Sequence, residues 1–102
     1  MVRKTESIID DVVAEAIRLG ADGVEVEYKD SNEWVFATQG GFGYGIARFR
    51  SSSPEGLALR QELYSLAKRK RRIAVDGYQY ELRCGIFDSF GEDAFQVDLR
   101  RV

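Results

Sequence analysis

"RIAVDGYQYELRC", Arg72 to Cys84, decides the architecture. Asp76-Gly77 stands between two alternating runs, and this dipeptide readily takes the positive φ that both central residues of a type I′ turn require. The stretch therefore predicts a two-residue hairpin. In that register Val75 faces Tyr78, Ile73 faces Tyr80 and Arg72 faces Glu81. Tyr78, Tyr80, Leu82 and Cys84 share one face, and Gln79, Glu81 and Arg83 share the other.

Downstream, "FDSFGED" reads as a loop, and "AFQVDLR" then buries Phe95, Val97 and Leu99 while exposing Gln96, Asp98 and Arg100. Upstream, "SSSPEG" opens a helix. Ser52 with Glu55 three residues on has the form of a capping box, and Pro54 suits the first helical turn. The helix is expected over Pro54 to Arg71, with Leu57, Leu63, Leu66 and Ala67 toward a core. It runs into the basic segment Lys68 to Arg72, which suits the negative end of the helix dipole. An earlier helix is expected from Thr5 to Leu19, because Ile8, Ile9, Val12, Val13, Ala16 and Ile17 keep the helical rhythm and Gly20 follows as a stop. Next, Val24, Val26 and Tyr28 alternate with Glu25 and Glu27 in the period of a strand, closed by the turn Asp30 to Asn32. "EWVFAT" and "YGIARFR" complete a three-stranded meander. The expected fold is α/β (α+β): a two-layer sandwich in the order αβββαβββ. Two helices pack on one face of a mixed or antiparallel sheet, in one domain spanning residues 1–102.

A chain of 102 residues supports one core. With 44% hydrophobic and 31% charged residues it belongs with ordinary globular proteins, and no segment approaches the ~20 apolar residues a membrane span requires. The start "MVRKTESIIDD" has the basic opening of a signal peptide, but Glu6, Asp10 and Asp11 interrupt its apolar stretch, so a cytoplasmic location without membrane insertion is expected. There is no histidine and Cys84 is the only cysteine, which removes internal disulfides, the usual zinc ligand sets and the Ser-His and Cys-His nucleophile pairs. Catalysis is thereby disfavoured, and neither a metal nor a cofactor is expected. A net charge of −2 argues against nucleic-acid binding by overall charge, while leaving room for a local basic patch.

Gly40, Gly41, Gly43 and Gly45 lie between aromatic residues, but no helix and no Gly-Lys-Ser/Thr ending follows them. A hairpin or bulge fits better than a phosphate-gripping loop. The basic run Lys68, Arg69, Lys70, Arg71 and Arg72, with Arg48, Arg50, Arg100 and Arg101, could neutralise phosphates, yet helix ends and pairing of strand arginines with carboxylates such as Glu81 or Asp98 explain such cations better. Glu25, Glu27, Asp30 and Glu33 read as a solvated acidic face rather than a cation site. Cys84 falls on the core face, where a thiol acts as a small apolar group.

Two stretches carry a resemblance. "IIDDVVAEAIRLGADGVEVEY", Ile8 to Tyr28, and "RIAVDGYQYELRCGIFDSFGED", Arg72 to Asp93, resemble the amino-terminal, PAS-like domain that precedes the RecA-like motor in type II secretion and type IV pilus assembly ATPases. In order, they match the family's helix, its Gly-Ala-Ser-Asp turn and Ile-His-Ile-Glu strand, then its hairpin, Leu-Arg-Val-Ser stretch and later Gly-Glu. Glu25 stands where the family has histidine, Gly85 where it has serine and Asp88 where it has proline, and the loop before Gly91-Glu92 is one residue shorter. The motor's phosphate loop and catalytic carboxylates have no counterpart in these residues. The resemblance implies a protein-binding or regulatory module without ATP hydrolysis, with a motor ATPase as a possible partner. It also implies that Arg83, by its place in "ELRC", reaches toward a nucleotide at a motor interface; pairing with Asp98 is the plainer role.

The sequence thus supports a free-standing, non-catalytic interaction module, with Arg83, Arg48, Arg50 and Arg100 as candidate contact residues. The alternative is a small nucleic-acid-binding domain using Lys68, Arg69, Lys70, Arg71 and Arg72 beside the aromatic strands. An enzyme working through carboxylates is the weakest reading.

Overall fold

A computed structural model describes residues 7–102; Thr5 and Glu6 of the expected first helix lie outside the described residues. The elements run α1 (Ile8–Arg18), β1 (Gly23–Lys29), β2 (Asn32–Gln39), β3 (Phe42–Arg50), α2 (Pro54–Lys68), β4 (Arg71–Val75), β5 (Tyr78–Ser89) and β6 (Glu92–Arg101). The six strands form one sheet in the order β3-β2-β1-β6-β5-β4, antiparallel at every pairing.

Helix α1 starts where Ser7 accepts a hydrogen bond from the amide of Asp10, and Asp10 and Asp11 in its first turn suit the positive end of the dipole. It stops at Gly20, whose φ of +84° few other residues tolerate. The amide of Gly20 donates to the carbonyl of Ile17 and that of Ala21 to Ala16, the paired bonds of a Schellman ending. Ile8, Ile9, Val12, Val13 and Ala16 face inward as the periodicity predicts.

Helix α2 differs in detail. Its cap is Ser53, which accepts from the amide of Gly56 at 3.0 Å, rather than Ser52 with Glu55. Its buried face is Gly56, Leu59, Leu63 and Leu66; Leu57 is 54% exposed. Gly56, Leu59, Leu63 and Leu66 recur at the three- and four-residue spacing of one helix face, which seats Gly56 against the carbonyl of Arg50, and Leu57 falls off that stripe. The helix ends at Lys68, three residues before the expected Arg71, because Arg69 is already extended and Arg71 opens β4.

Both helices share one core with Val24 and Val26 of β1, Val35 and Ala37 of β2, Leu82 of β5 and Phe95 and Val97 of β6. This covers one face of the sheet. The Asp76-Gly77 turn has φ values of 49° and 86°, and β4 meets β5 in the expected register, with Val75 opposite Tyr78 and Arg72 opposite Glu81. Gly40 and Gly41 form the turn of the β2–β3 hairpin, and Ile46 is the extra residue of a bulge where β3 passes Val35 and Phe36. "FDSFGED" is not a loop: β5 runs to Ser89 and β6 starts at Glu92, so only Phe90 and Gly91 turn the chain.

A cationic hollow on the open face of the sheet

The face of the sheet turned away from the helices is built from every second residue. Its cross-strand rows follow from the register. One runs Arg72, Glu81, Arg100; the next Arg83, Asp98, Gly23, Thr38, Gly43; the central one Gly85, Gln96, Glu25, Phe36, Gly45; beyond the end of the β1–β6 ladder, Phe87 pairs with Ala94 on one side and Glu27, Trp34 and Arg48 form a row on the other. Glycines end the central row, so the surface there is low: a Cβ built on Gly85 meets nothing within 4 Å.

At the edge of this face, where β5 begins and β6 ends, Lys70, Arg72, Glu81, Arg83, Arg100 and Val102 line a hollow of about 210 Å³. Glu81 is its floor, with a side chain only 10% exposed, and it accepts from Arg83 Nε at 3.0 Å and pairs with Lys70 Nζ at 3.6 Å. The side chains of Arg83 and Lys70 remain 59% exposed. The hydrogen bond from Arg83 holds the Glu81 carboxyl below its ordinary range against the opposing effect of burial, and the charges of Lys70, Arg83 and Arg72 act in the same direction. One side-chain carboxylate thus stands among four side-chain cations. Among the described residues neither Arg72 nor Arg100 makes an ion pair, so the hollow keeps an excess of positive charge able to take a carboxylate or phosphate from another molecule.

The structure gathers residues that the sequence had assigned to two different sites. Arg83 and Arg100 meet Lys70 and Arg72 here. Arg48 and Arg50 lie across the sheet on β3, where the Arg48 guanidinium sits 5.3 Å from the Trp34 ring and Arg50 is opposite Asn32. The basic run is divided: Lys68 ends α2, Arg69 caps it, Arg71 forms an ion pair with Asp10 of α1, and Lys70 and Arg72 turn to the hollow. Arg83 pairs with Glu81 on its own strand rather than with Asp98, although Asp98 is its neighbour across β6.

Glu33 is the chief departure from the sequence reading. It is wholly buried, not part of a solvated acidic face. It accepts from Arg60 Nη1 at 3.0 Å and from the Ser51 hydroxyl, while Arg60 Nη2 reaches the Tyr64 hydroxyl at 3.2 Å and that hydroxyl donates to Asp93. The hydrogen bond to Asp93, with burial adding, raises the Tyr64 hydroxyl above its ordinary range. The Arg60 guanidinium also lies 5.5 Å from the Phe95 ring. Burial disfavours its charge, but Glu33 outweighs that and leaves its pKa raised. This network ties β2 to α2 and β6. Glu25, on the open face, has its carboxyl raised by burial and by the neighbouring Glu27.

Cys84 behaves as expected of a core-side thiol, pushed up to about 11 by burial with a lesser effect of Asp98. Among the described residues no group of three or more His, Cys, Asp or Glu is placed to hold a metal ion, and no helix is long and apolar enough to cross a membrane. A larger groove of about 740 Å³ lies beside the C-terminal end of α2, lined by Ser7, Glu62, Arg69 and Arg71 among others. Its carboxylate Glu62 is occupied in accepting from the Ser7 hydroxyl and the Ile9 amide, both at 2.9 Å, which fixes the start of α1 on α2.

No protein-family model matches the chain, and no curated protein matches it by sequence. Among solved structures, all of the chain aligns with 31% of the X-ray structure of the Legionella pneumophila ATPase DotB, at a TM-score of 0.51 and 18% identity. The chain therefore spans about a third of the length of that ATPase chain and shares the fold of that part.

Proposed function

We propose that this chain is a non-catalytic, cytoplasmic protein-interaction module: a two-layer, PAS-like domain of the type II secretion and type IV pilus ATPase kind that docks on a motor ATPase through its open sheet face. The observation that carries this reading is the cationic hollow, in which Arg83 and Arg100, with Lys70 and Arg72, surround the side-chain carboxylate of Glu81. Such a site suits an acidic group presented by a partner, and exposed arginines at a docking surface contribute disproportionately to binding. The fold shared with part of the ATPase DotB supports the same reading, as does the resemblance over Ile8 to Tyr28 and Arg72 to Asp93. The division of the basic run between Asp10 and the hollow favours a protein partner over nucleic acid, since a phosphate track wants its cations on one surface.

The test is direct binding of the purified chain to a purified motor ATPase of the secretion or pilus class from the same cell. Arg83→Ala should weaken binding about tenfold or more while leaving the thermal midpoint within a few degrees. Equal binding by the variant, or no binding to any such motor, would remove the proposal. Submicromolar, salt-sensitive binding to single-stranded DNA or RNA would put the nucleic-acid reading first.

A further inference from the structure

Strand β5 outruns the strand beside it. The β4 ladder ends where Arg71 meets Leu82, whereas β5 continues to Ser89 with β6 on one side and, among the described residues, no strand on the other. Two-residue turns at both ends of β5 fix where its main chain points, because residues flanking such a turn bond to each other through their main chains. Tyr78 therefore bonds toward β4 and Ser89 toward β6. The alternation between them sends the N–H and C=O groups of Gly85, Phe87 and Ser89 to β6 and those of Ile86 and Asp88 outward. The carbonyl of Gln79, which accepts from the amide of Val102 at 3.0 Å, follows the same alternation.

This edge is unguarded. The opposite edge of the sheet, β3, carries a bulge at Ile46 and the cations Arg48 and Arg50, and β4 is a short strand opening on two arginines; such features discourage another chain from pairing. From Gly85 to Ser89 the register with β6 is unbroken and there is no lysine, arginine or proline. Ile86 and Phe87, on opposite faces of the strand, are 44% and 37% exposed. Gly85 adds a shelf on the open face, since a Cβ built there meets nothing within 4 Å. A line of unpaired main-chain groups flanked by exposed apolar side chains fits one kind of occupant, another extended chain.

We propose that the outer edge of β5 from Gly85 to Ser89 takes an extended segment of a partner protein as an added strand, antiparallel to β5 and in line with β4. In that direction the C-terminal end of the segment reaches Arg83 and Lys70, whose side chains are 59% exposed. The segment therefore ends in acidic residues, preceded by β-branched or apolar ones that lie beside Phe87 and Ile86. This deepens the docking reading, on which it rests for the identity of the partner, by naming the form of the segment that the partner presents.

Residue-resolved amide hydrogen exchange tests it, with a synthetic peptide of alternating threonine and valine ending in two aspartates as the probe. In the chain alone the amides of Ile86 and Asp88 should exchange fast and those of Phe87 and Ser89 slowly. Saturating peptide should slow Ile86 and Asp88 by about tenfold or more. Moving the aspartates to the amino-terminal end of the peptide should weaken binding. Ile86→Pro removes an outward N–H that the fold does not use and should weaken the peptide by about tenfold or more. Exchange on the wild-type chain decides the matter even if that variant misfolds. Unchanged exchange at Ile86 and Asp88 with the peptide overturns the added strand. Protection that rises with the concentration of the chain alone gives the edge to a second copy and overturns it as well. Peptide protection without binding to any motor ATPase keeps the added strand and removes the motor; motor binding without peptide protection does the reverse.

Discussion

Glu33 on β2, wholly excluded from solvent, is held by Arg60 on α2 at 3.0 Å. A carboxylate buried to this degree is tolerated only because the guanidinium and the Ser51 hydroxyl meet it. Arg60→Met leaves it without its cation and should destabilise the protein by about 3 kcal/mol. The double variant Glu33→Leu/Arg60→Met should recover most of that loss. Urea unfolding of the three proteins checks this, and a single variant within about 1 kcal/mol of wild type would mean that Glu33 is held by other groups.

Gly56 lies in the first turn of α2, where alanine normally improves a helix by about 1 kcal/mol. Here a Cβ would collide with the backbone carbonyl of Arg50, which cannot swing aside because it also accepts from Ser53. Gly56→Ala should therefore destabilise by about 2 kcal/mol or more, whereas Gly85→Ala, with nothing within 4 Å of the added carbon, should be neutral or stabilising. A stabilised Gly56→Ala protein would show that α2 can move away from the β3–α2 corner.

Phe90 turns the β5–β6 hairpin at a φ of +52° while fully exposed, so it bears the strain of a left-handed backbone without any return from burial. Asparagine suits that position of a type I′ turn far better. Phe90→Asn should raise stability by about 1 kcal/mol, read as an increased thermal midpoint; a lowered midpoint would reveal packing by the Phe90 ring.

Two carboxyls respond to pH with opposite sign. The folded-state pKa of Glu81 is depressed by Arg83, so its contribution is present above the unfolded value near 4.5 and is lost as pH falls through that value and below it. Glu81→Gln should lower the thermal midpoint at pH 7, and the gap to wild type should close below about pH 4. Glu25 is raised by burial and Glu27, so its contribution is present below the unfolded value and lost as pH rises through the folded one. Glu25→Gln should accordingly stabilise at pH 7. Parallel shifts of the two variants across the pH range would contradict both assignments.

Cys84, with its thiol pushed up to about 11, holds a thiolate fraction at pH 8 about two orders of magnitude below that of an ordinary cysteine. Iodoacetamide should label it correspondingly slowly in the folded protein and at the normal rate in urea, as followed by mass. Rapid labelling of the folded protein would place the sulfur in solvent.

Much of this protein was determined by short-range chemistry. The apolar face and Gly20 stop of α1, the Asp76-Gly77 hairpin and its register, and the alternation of Val24 and Val26 with Glu25 and Glu27 depend on neighbouring residues, and they read directly from the chain. The choice between hairpin and phosphate loop at Gly40 to Gly45 is of the same kind, since strands flank those glycines on both sides. The placement of β6 beside β1 is different: it joins segments some seventy residues apart, and nothing local to either strand specifies the pairing. That pairing defines the open face, and β6 beside β5 brings Arg100 to Arg83 and Glu81. Glu33 shows the same limit in one residue. Its position in an acidic stretch suggested solvent, but its burial depends on Arg60, which is 27 residues away and is aimed at it only once α2 has packed on the sheet. Charge is a property of the residue; whether that charge is solvated, paired or left in excess is a property of the folded neighbourhood, and that neighbourhood alone decided both the buried network and the cationic hollow.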